Sequence, residues 1–206
     1  MKKKIFIWCI IGVFLIFVSV VSAVECVQEN VSGSVVRIHI IANSDAENDQ
    51  RIKLLVRDAV ISCQKDIFKD GIKKTLNNEE KEKIKLISEK ILKEEGANYG
   101  AFVETGKFYF PVKRYENITL PAGEYDAVRI VLGEGGGKNW WCVMYPPLCF
   151  SGSYVGKMET ENLNILKEGM SEFDYKIISD ESIKVVPAFK LAQMWQTVKE
   201  SIKSSL

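Results

Sequence analysis

Apolar residues fill the first stretch of the chain almost without interruption. Lysines occupy positions 2–4, and the run from Ile5 to Val24 is broken only by glycine, serine and alanine. Val21-Ser22-Ala23 places small residues at the two positions that a signal peptidase reads. The pattern predicts a cleaved secretory signal peptide. An uncleaved anchor is the alternative, because about 20 apolar residues suffice to span a bilayer.

The remainder of the chain is expected outside the cytoplasm. We predict three parts: 1–23 is the signal peptide or anchor, 24–34 is a flexible tail, and 35–206 is one folded domain. No linker rich in proline, glycine or serine divides the last part, so one core is expected.

Apolar residues then alternate with polar ones before a helical period begins. Val36, Ile38 and Ile40 alternate with Arg37 and His39, which predicts a half-buried strand. Residues 42–45 turn the chain, and Ser44 with Glu47 has the spacing of a capping box, which predicts a helix over 45–68. The acids at its start fit a helix N-terminus better than a calcium loop, which requires a glycine and a final acid that are missing here.

A second helix is predicted between a cap at Asn77 or Asn78 and Gly96. Further predictions are a hairpin turning at 105–107, strands near 125–132 and 140–145, a short helix at 160–170 and a strand at 173–178. A last helix is expected from Pro187, with Leu191, Trp195, Val198 and Ile202 as its apolar stripe. Helices segregated from a mainly antiparallel sheet define an α+β fold of one domain, with helices packed on the sheet behind the signal or anchor segment.

The charge balance argues against one class of partner. Without the three N-terminal lysines, 25 basic residues stand against 27 acidic ones. This balance argues against a nucleic acid or an anionic membrane surface held by bulk electrostatics. Membrane contact is therefore expected only through the signal or anchor segment.

The candidate chemistry is concentrated between 133 and 150. Gly133 to Gly137 contain more glycine than a hairpin turn needs and precede adjacent tryptophans, so the segment is either a surface for a partner or a long flexible loop between core strands. In an exported protein Cys142 and Cys149 are close enough to form a disulfide, and Pro146-Pro147 stiffens the turn between them.

No residue set predicts catalysis. His39 is the only histidine, and a thiol mechanism would require it beside Cys142 or Cys149. No metal site, cofactor or nucleotide loop is predicted. Three classes remain open: a binding or signalling module, a cell-wall or carbohydrate binder that stacks sugars on Trp140, Trp141 and Tyr145, and a hydrolase.

Two blocks carry a resemblance to a known family. They read IHIIANSDAENDQRIKLLVRDAV at 38–60 and LPAGEY, GEG, KNWWC and PPLCF within 120–150. In composition and order they resemble the stage II sporulation protein R family, so that 35–206 is identified as a domain of this kind.

The resemblance implies a secreted, non-enzymatic signal of endospore formation. Members are made in the forespore, enter the space between the forespore and mother-cell membranes, and activate a membrane-embedded aspartic protease, which leads to processing of a pro-sigma factor in the mother cell. The surface expected to bind this protease comprises Asn43, Ser44, Asp45, Gly135, Gly136, Gly137, Lys138, Asn139, Trp140, Trp141, Pro146 and Pro147.

Overall fold

The structure is a computed structural model that describes residues 2–63, 66, 76–115, 117–148, 160–179, 190, 194, 195 and 198. In chain order its elements are α1 (Lys2–Ser34), β1 (Val36–Ile41), α2 (Glu47–Ser62), α3 (Asn78–Glu94), β2 (Ala101–Phe110), β3 (Lys113–Tyr115), β4 (Ile118–Leu120), β5 (Gly123–Leu132), β6 (Asn139–Tyr145), α4 (Thr160–Glu168) and α5 (Glu172–Ser179).

The predicted α+β class is confirmed, with a mixed four-stranded sheet of order β2-β5-β1-β6. β1 is parallel to β5 and antiparallel to β6. On β2 and β5, Glu104 pairs with Arg129 and Lys107 with Asp126, so earlier residues of one strand face later residues of the other, as in an antiparallel pair. β3 and β4 form a separate antiparallel pair.

Within this domain the chain divides into two compact units. The larger contains residues 32–110 and 124–170, and therefore the four-stranded sheet with α2, α3 and α4. The smaller contains residues 1–31, 111–123 and 171–206, and therefore most of α1, the β3–β4 pair and α5.

The central strand β1 is buried on both faces, whereas its alternation predicts burial of one face only. Ile38 and Ile40 are buried, as expected, but Arg37 and His39 are 0% and 6% exposed. Arg37 is accommodated because its Cζ lies 4.1 Å from the ring centroid of Phe110 and 4.9 Å from that of Tyr125. Aromatic rings stabilise a desolvated guanidinium through cation–π attraction.

Helix α3 confirms the local signals of its sequence. The Asn77 side chain accepts a bond from the Glu80 N–H, and the Glu80 carboxylate accepts one from the Asn77 N–H, which completes a capping box. Beyond the end of the helix, Gly96 has a φ of 68°, which a glycine adopts without strain. Ile84 and Leu92 are buried, and α3 packs on α2 and β2.

Two predictions of secondary structure are wrong, and the helix predicted over 45–68 is present with different bounds and without the predicted cap. Thr105 to Lys107 do not turn the chain, because β2 continues through them as one strand, which neighbours β5 in the sheet. Residues 173–178 form helix α5, whose Asp174 N–H bonds to the Ser171 hydroxyl. Helix α2 begins at Glu47 with no side-chain cap and ends at Ser62.

The N-terminal segment also differs from the prediction. Residues 24–34, expected to be a flexible tail, are the last turns of α1. Val21, Val24, Val27 and Val31 recur at helical spacing and are all buried, which explains the order of this segment. The helix is long and apolar enough from Lys4 to Ser34 to cross a membrane, so it is compatible with secretion or with anchoring.

Candidate functional site

The sheet topology brings the two sequence blocks together. We call residues 42–46, which follow β1, the serine loop, and residues 133–138, which join β5 to β6, the glycine loop. Because β1 and β5 are adjacent and parallel, their C-terminal ends lie at the same edge of the sheet, where antiparallel β6 begins. Loops separated by about ninety residues in sequence therefore meet at one place.

The two loops are joined by four hydrogen bonds from the glycine loop. The N–H groups of Gly136 and Gly137 donate to the carbonyl oxygens of Asn43 and Ala42, each at 3.0 Å. Those of Glu134 and Lys138 donate to side chains, to Asn43 Oδ1 at 3.0 Å and to Asp45 Oδ1 at 2.7 Å. The glycine loop is thus paired along its length with the serine loop, which is unlike a flexible connection.

Close approach explains why two of the glycines are required. Gly133 has a φ of 55°, and a Cβ at this position would overlap Asn43 Oδ1. At Gly137 a Cβ would overlap the Ser44 carbonyl oxygen and lie 2.9 Å from the Ala42 Cβ. Only a residue without a side chain allows the two backbones to pair at this separation.

A single carboxylate, that of Asp49 in the first turn of α2, organises the serine loop. Its Oδ2 accepts bonds from Asn43 Nδ2 at 2.8 Å and Ser44 Oγ at 2.6 Å, and its Oδ1 accepts the Tyr99 hydroxyl at 2.6 Å. The bonds from Ser44, Tyr99 and Asn43 hold the pKa of Asp49 below its ordinary value. Burial and the bond to Asp49 raise the pKa of Tyr99, so this hydroxyl remains a proton donor.

This arrangement corrects the predicted capping box. The Ser44 hydroxyl donates to Asp49 and accepts a bond from the Ala46 N–H at 3.1 Å, so it is not a cap of α2. Asp49 and Tyr99 were not predicted as site residues. An acid at a helix start is ordinarily assigned to the helix dipole, and Tyr99 comes fifty residues later with no local motif around it.

The outer rim of the joined loops faces solvent. Of the predicted partner-binding residues, Asp45, Gly136, Lys138 and Asn139 are exposed, and Asn43, Ser44, Gly135 and Gly137 are half-buried. Beneath the rim, Lys53 is 5% exposed and its Nζ donates to the Lys138 carbonyl at 2.9 Å. Burial lowers the pKa of Lys53.

The two tryptophans are divided between the faces of the sheet. Trp141 pairs in register with His39 and Trp140 with Ile40. The Trp141 ring stacks on His39 with 3.5 Å between ring centroids and meets Phe110 edge to face at 4.9 Å. On the other face, the Arg57 Cζ lies 5.5 Å from the Trp140 ring centroid. Because both rings are half-buried and point apart, they do not form one platform for a sugar.

The remaining predicted residues lie elsewhere. Pro146 and Pro147 follow the end of β6, away from the glycine loop, and Pro146 is buried. Cys142 is disulfide-bonded, whereas Cys9, Cys26 and Cys63 are free thiols. Cys149, the expected partner of Cys142, lies outside the described residues.

A thiol mechanism through Cys142 would require this side chain beside His39, and the two lie on opposite faces of the sheet; the alternative through Cys149 lies outside the described residues. Cys142 pairs in register with Ile38, so its side chain lies on the face of the sheet opposite to His39. Burial is the main reason why the pKa of His39 falls from 6.5 to about 4, an effect that a hydrogen bond with Asn139 partly offsets. Among the described residues, no group of histidine, cysteine, aspartate and glutamate side chains is placed to hold a metal ion.

Fold and site define an α+β domain behind a membrane-compatible helix, with two motif loops joined at one edge of its sheet. The family model for stage II sporulation protein R matches residues 32–154. A curated protein named stage II sporulation protein R, from Bacillus subtilis (strain 168), is 38% identical over 159 residues, which cover 75% of this chain and 70% of that protein. The chain belongs to the stage II sporulation protein R family, which gives it a role in sporulation. No solved structure matches it.

Proposed function

We propose that this chain is an exported ligand of endospore formation that acts in the space between forespore and mother cell. It activates a membrane-embedded aspartic protease, which leads to processing of a pro-sigma factor in the mother cell. Family membership carries the proposal, since both blocks that define the resemblance lie within the matched residues 32–154. The structure adds that these blocks form one hydrogen-bonded unit at the sheet edge.

A ligand needs a preorganised surface more than a reactive group. The rim formed by Asp45, Gly136, Lys138 and Asn139 is exposed, and its backbone is fixed by Asp49 through the serine loop and by Lys53 under Lys138. A surface that is already ordered loses little entropy when it binds. We therefore place the protease-binding surface on this rim, with the partly exposed Trp140 at its margin.

Activation by a ligand requires differential affinity. The chain shifts the protease toward its active state only to the extent that it binds that state more tightly than the inactive one. To convert a protease that is about 1% active into one that is about 99% active, the preference must be roughly 10⁴-fold. The catalytic aspartates belong to the protease on this account, and the chain supplies binding energy alone.

Co-expression in a non-sporulating host tests the proposal. The chain, the candidate protease and its pro-sigma substrate are produced together, and substrate cleavage is measured. Cleavage is expected only when all three are present. A chain that binds cell walls and does not activate the protease would leave the substrate intact, and that result would overturn the proposal.

The same assay tests the surface. Asp45→Ala with Lys138→Ala should reduce activation roughly 10-fold or more, because truncation of an interface hot spot costs more than 1 kcal/mol. The matched control is Glu79→Ala with Lys83→Ala, which removes one acid and one lysine from the exposed face of α3. Equal activation by the two double variants would place the binding surface elsewhere without refuting the ligand function.

Export is tested by arginines in the apolar run. Replacing both Ile11 and Leu15 by Arg costs about 2.5 to 3.5 kcal/mol for each charge during insertion into the membrane. The variant should remain in the cytoplasm and cleavage should stop. Continued cleavage with the chain shown to be cytoplasmic would contradict the export step.

A further inference from the structure

The smaller unit contains exposed apolar side chains outside α1. Met194, Trp195 and Val198 are 66%, 36% and 47% exposed. All three are helical residues, and Val198 is four positions after Met194 and three after Trp195, which are the spacings at which helical residues are neighbours. The sequence predicts Trp195 and Val198 as part of an apolar stripe, and both are exposed; Leu191 and Ile202 of that stripe lie outside the described residues.

One ring contact shows which part of α1 lies next to Met194, Trp195 and Val198, which we call the apolar patch. The rings of Trp195 and Phe17 meet edge to face with 6.0 Å between their centroids. Phe17 is part of the apolar segment of α1, whose neighbouring side chains Phe14, Leu15, Ile16 and Val18 are exposed. The patch therefore lies beside the part of α1 that is long and apolar enough to cross a membrane.

The depth of this contact follows from helix geometry. A membrane span that starts at Ile5 needs about 17 to 20 residues, so it ends between Val21 and Val24. Phe17 is four to seven residues before that end, which at 1.5 Å per residue is about 6 to 10 Å inside the apolar layer. Amphipathic helices that lie in the membrane interface bury their apolar face about 5–10 Å deep.

We propose that, in the chain that keeps α1 as an uncleaved anchor, Met194, Trp195 and Val198 form a second membrane-contacting surface, which is inserted into the outer leaflet beside α1 and has lipid as its partner. Tryptophan favours the membrane interface, where its ring is apolar and its N–H is hydrated. In sequence, residues 187–203 carry three lysines and one glutamate, and an excess of basic residues is typical of segments that lie in a membrane interface. The membrane contact is then wider than the signal or anchor segment that the sequence predicts.

Quenching by lipid tests this surface without the protease. The full chain with Trp8→Phe is reconstituted into phosphatidylcholine vesicles whose acyl chains are brominated, beside the same chain with Trp8→Phe and Trp195→Phe. Brominated chains should quench part of the tryptophan fluorescence in the first protein, and this quenched part should be lost in the second. Iodide in the buffer should not reach Trp195.

Phe173 provides the matched control. It is 69% exposed, but its neighbour Asp174 accepts a bond from Asn30 Nδ2 at 3.0 Å. Asn30 comes six residues after Val24, about 9 Å beyond the apolar layer. Phe173→Trp in the Trp8→Phe, Trp195→Phe chain should therefore show no quenching by brominated acyl chains.

Two results would overturn the proposal. One is equal quenching by brominated lipid with and without Trp195. The other is quenching of Trp195 by iodide in vesicles that contain this chain alone, with protection only after the protease is added. That second result would assign the three residues to contact with the protein partner. Because the readout needs only lipid, its failure leaves the proposed activation of the protease untouched.

Discussion

Replacing Tyr99 by Phe tests whether Asp49 organises the joined loops. The change removes one hydroxyl, which donates to Asp49 Oδ1 at 2.6 Å, and keeps the ring. A hydrogen bond to a charged group contributes about 1.5 to 3 kcal/mol, and Asp49 is only 9% exposed, so water replaces the lost donor poorly. We expect the free energy of unfolding to fall by about 2 kcal/mol, which lowers Tm by roughly 4–8 °C in a domain of this size.

A double-mutant cycle with Asp49→Asn isolates the contact. Chemical denaturation of the two single variants and the double variant should give a coupling energy of about 1 kcal/mol or more, since residues in one hydrogen-bond network do not act additively. Activation of the protease should fall with Tyr99→Phe as well, because the rim loses its support. Surface sites without partners usually change stability by less than about 0.5 kcal/mol. A loss that small, together with single-variant effects that simply add in the double variant, would refute the assigned role of Asp49.

Three further predictions concern the sheet and its loops. Burial lowers the pKa of His39 to about 4, so the folded protein is more stable when this histidine is neutral. The free energy of unfolding should be at its maximum above pH 6.5 and decrease by about 2 kcal/mol between pH 7 and 5. In His39→Gln, chemical denaturation should show a smaller decrease over this range, and protease activation at pH 7 should persist. Trp141→Ala should lower the free energy of unfolding by about 3 kcal/mol, because it removes the ring that packs on His39 and Phe110. Trp140→Ala should lower it by only about 1 kcal/mol in thermal melts. Equal losses of stability would contradict the assignment of the two rings to different environments. Gly137→Ala should lower the free energy of unfolding by about 1–3 kcal/mol, because the added methyl group overpacks against the serine loop. Gly106→Ala is the control and should be tolerated, because its Cβ would meet only the Phe108 ring, at 3.7 Å. A Gly137→Ala variant as stable as the unchanged chain would refute the close approach.

Local signals predicted local structure well. The capping box at Asn77 and the glycine beyond α3 act over a few residues, so the sequence contains all of their determinants. The turn expected at 105–107 fails because Gly106 lies in a strand whose pairing with β5 is decided by residues twenty positions away. The helix α5 was similarly missed because a short apolar and polar alternation does not distinguish a strand from one face of a short helix.

The site depends on contacts that no sequence pattern specifies. The glycines and Asn43, Ser44 and Asp45 were identified separately, but the sequence gives no reason for them to touch until the order β5-β1-β6 is known. The glycines were expected to meet a partner or to remain flexible, and in the structure Gly137 meets Ser44 of the same chain. The alternating pattern of β1 predicts that Arg37 faces solvent. In the structure Phe110 and Tyr125, which come from other strands, cover it.

The proposed function requires that the chain activates a protease and does not itself cleave the substrate. The most direct measurement titrates the purified chain into proteoliposomes that contain the candidate protease and its pro-sigma substrate, and follows cleavage. Cleavage should rise with the concentration of the chain, saturate, and disappear when a catalytic aspartate of the protease is replaced. Cleavage that continues with the inactive protease, or that is unchanged by the chain, would contradict it.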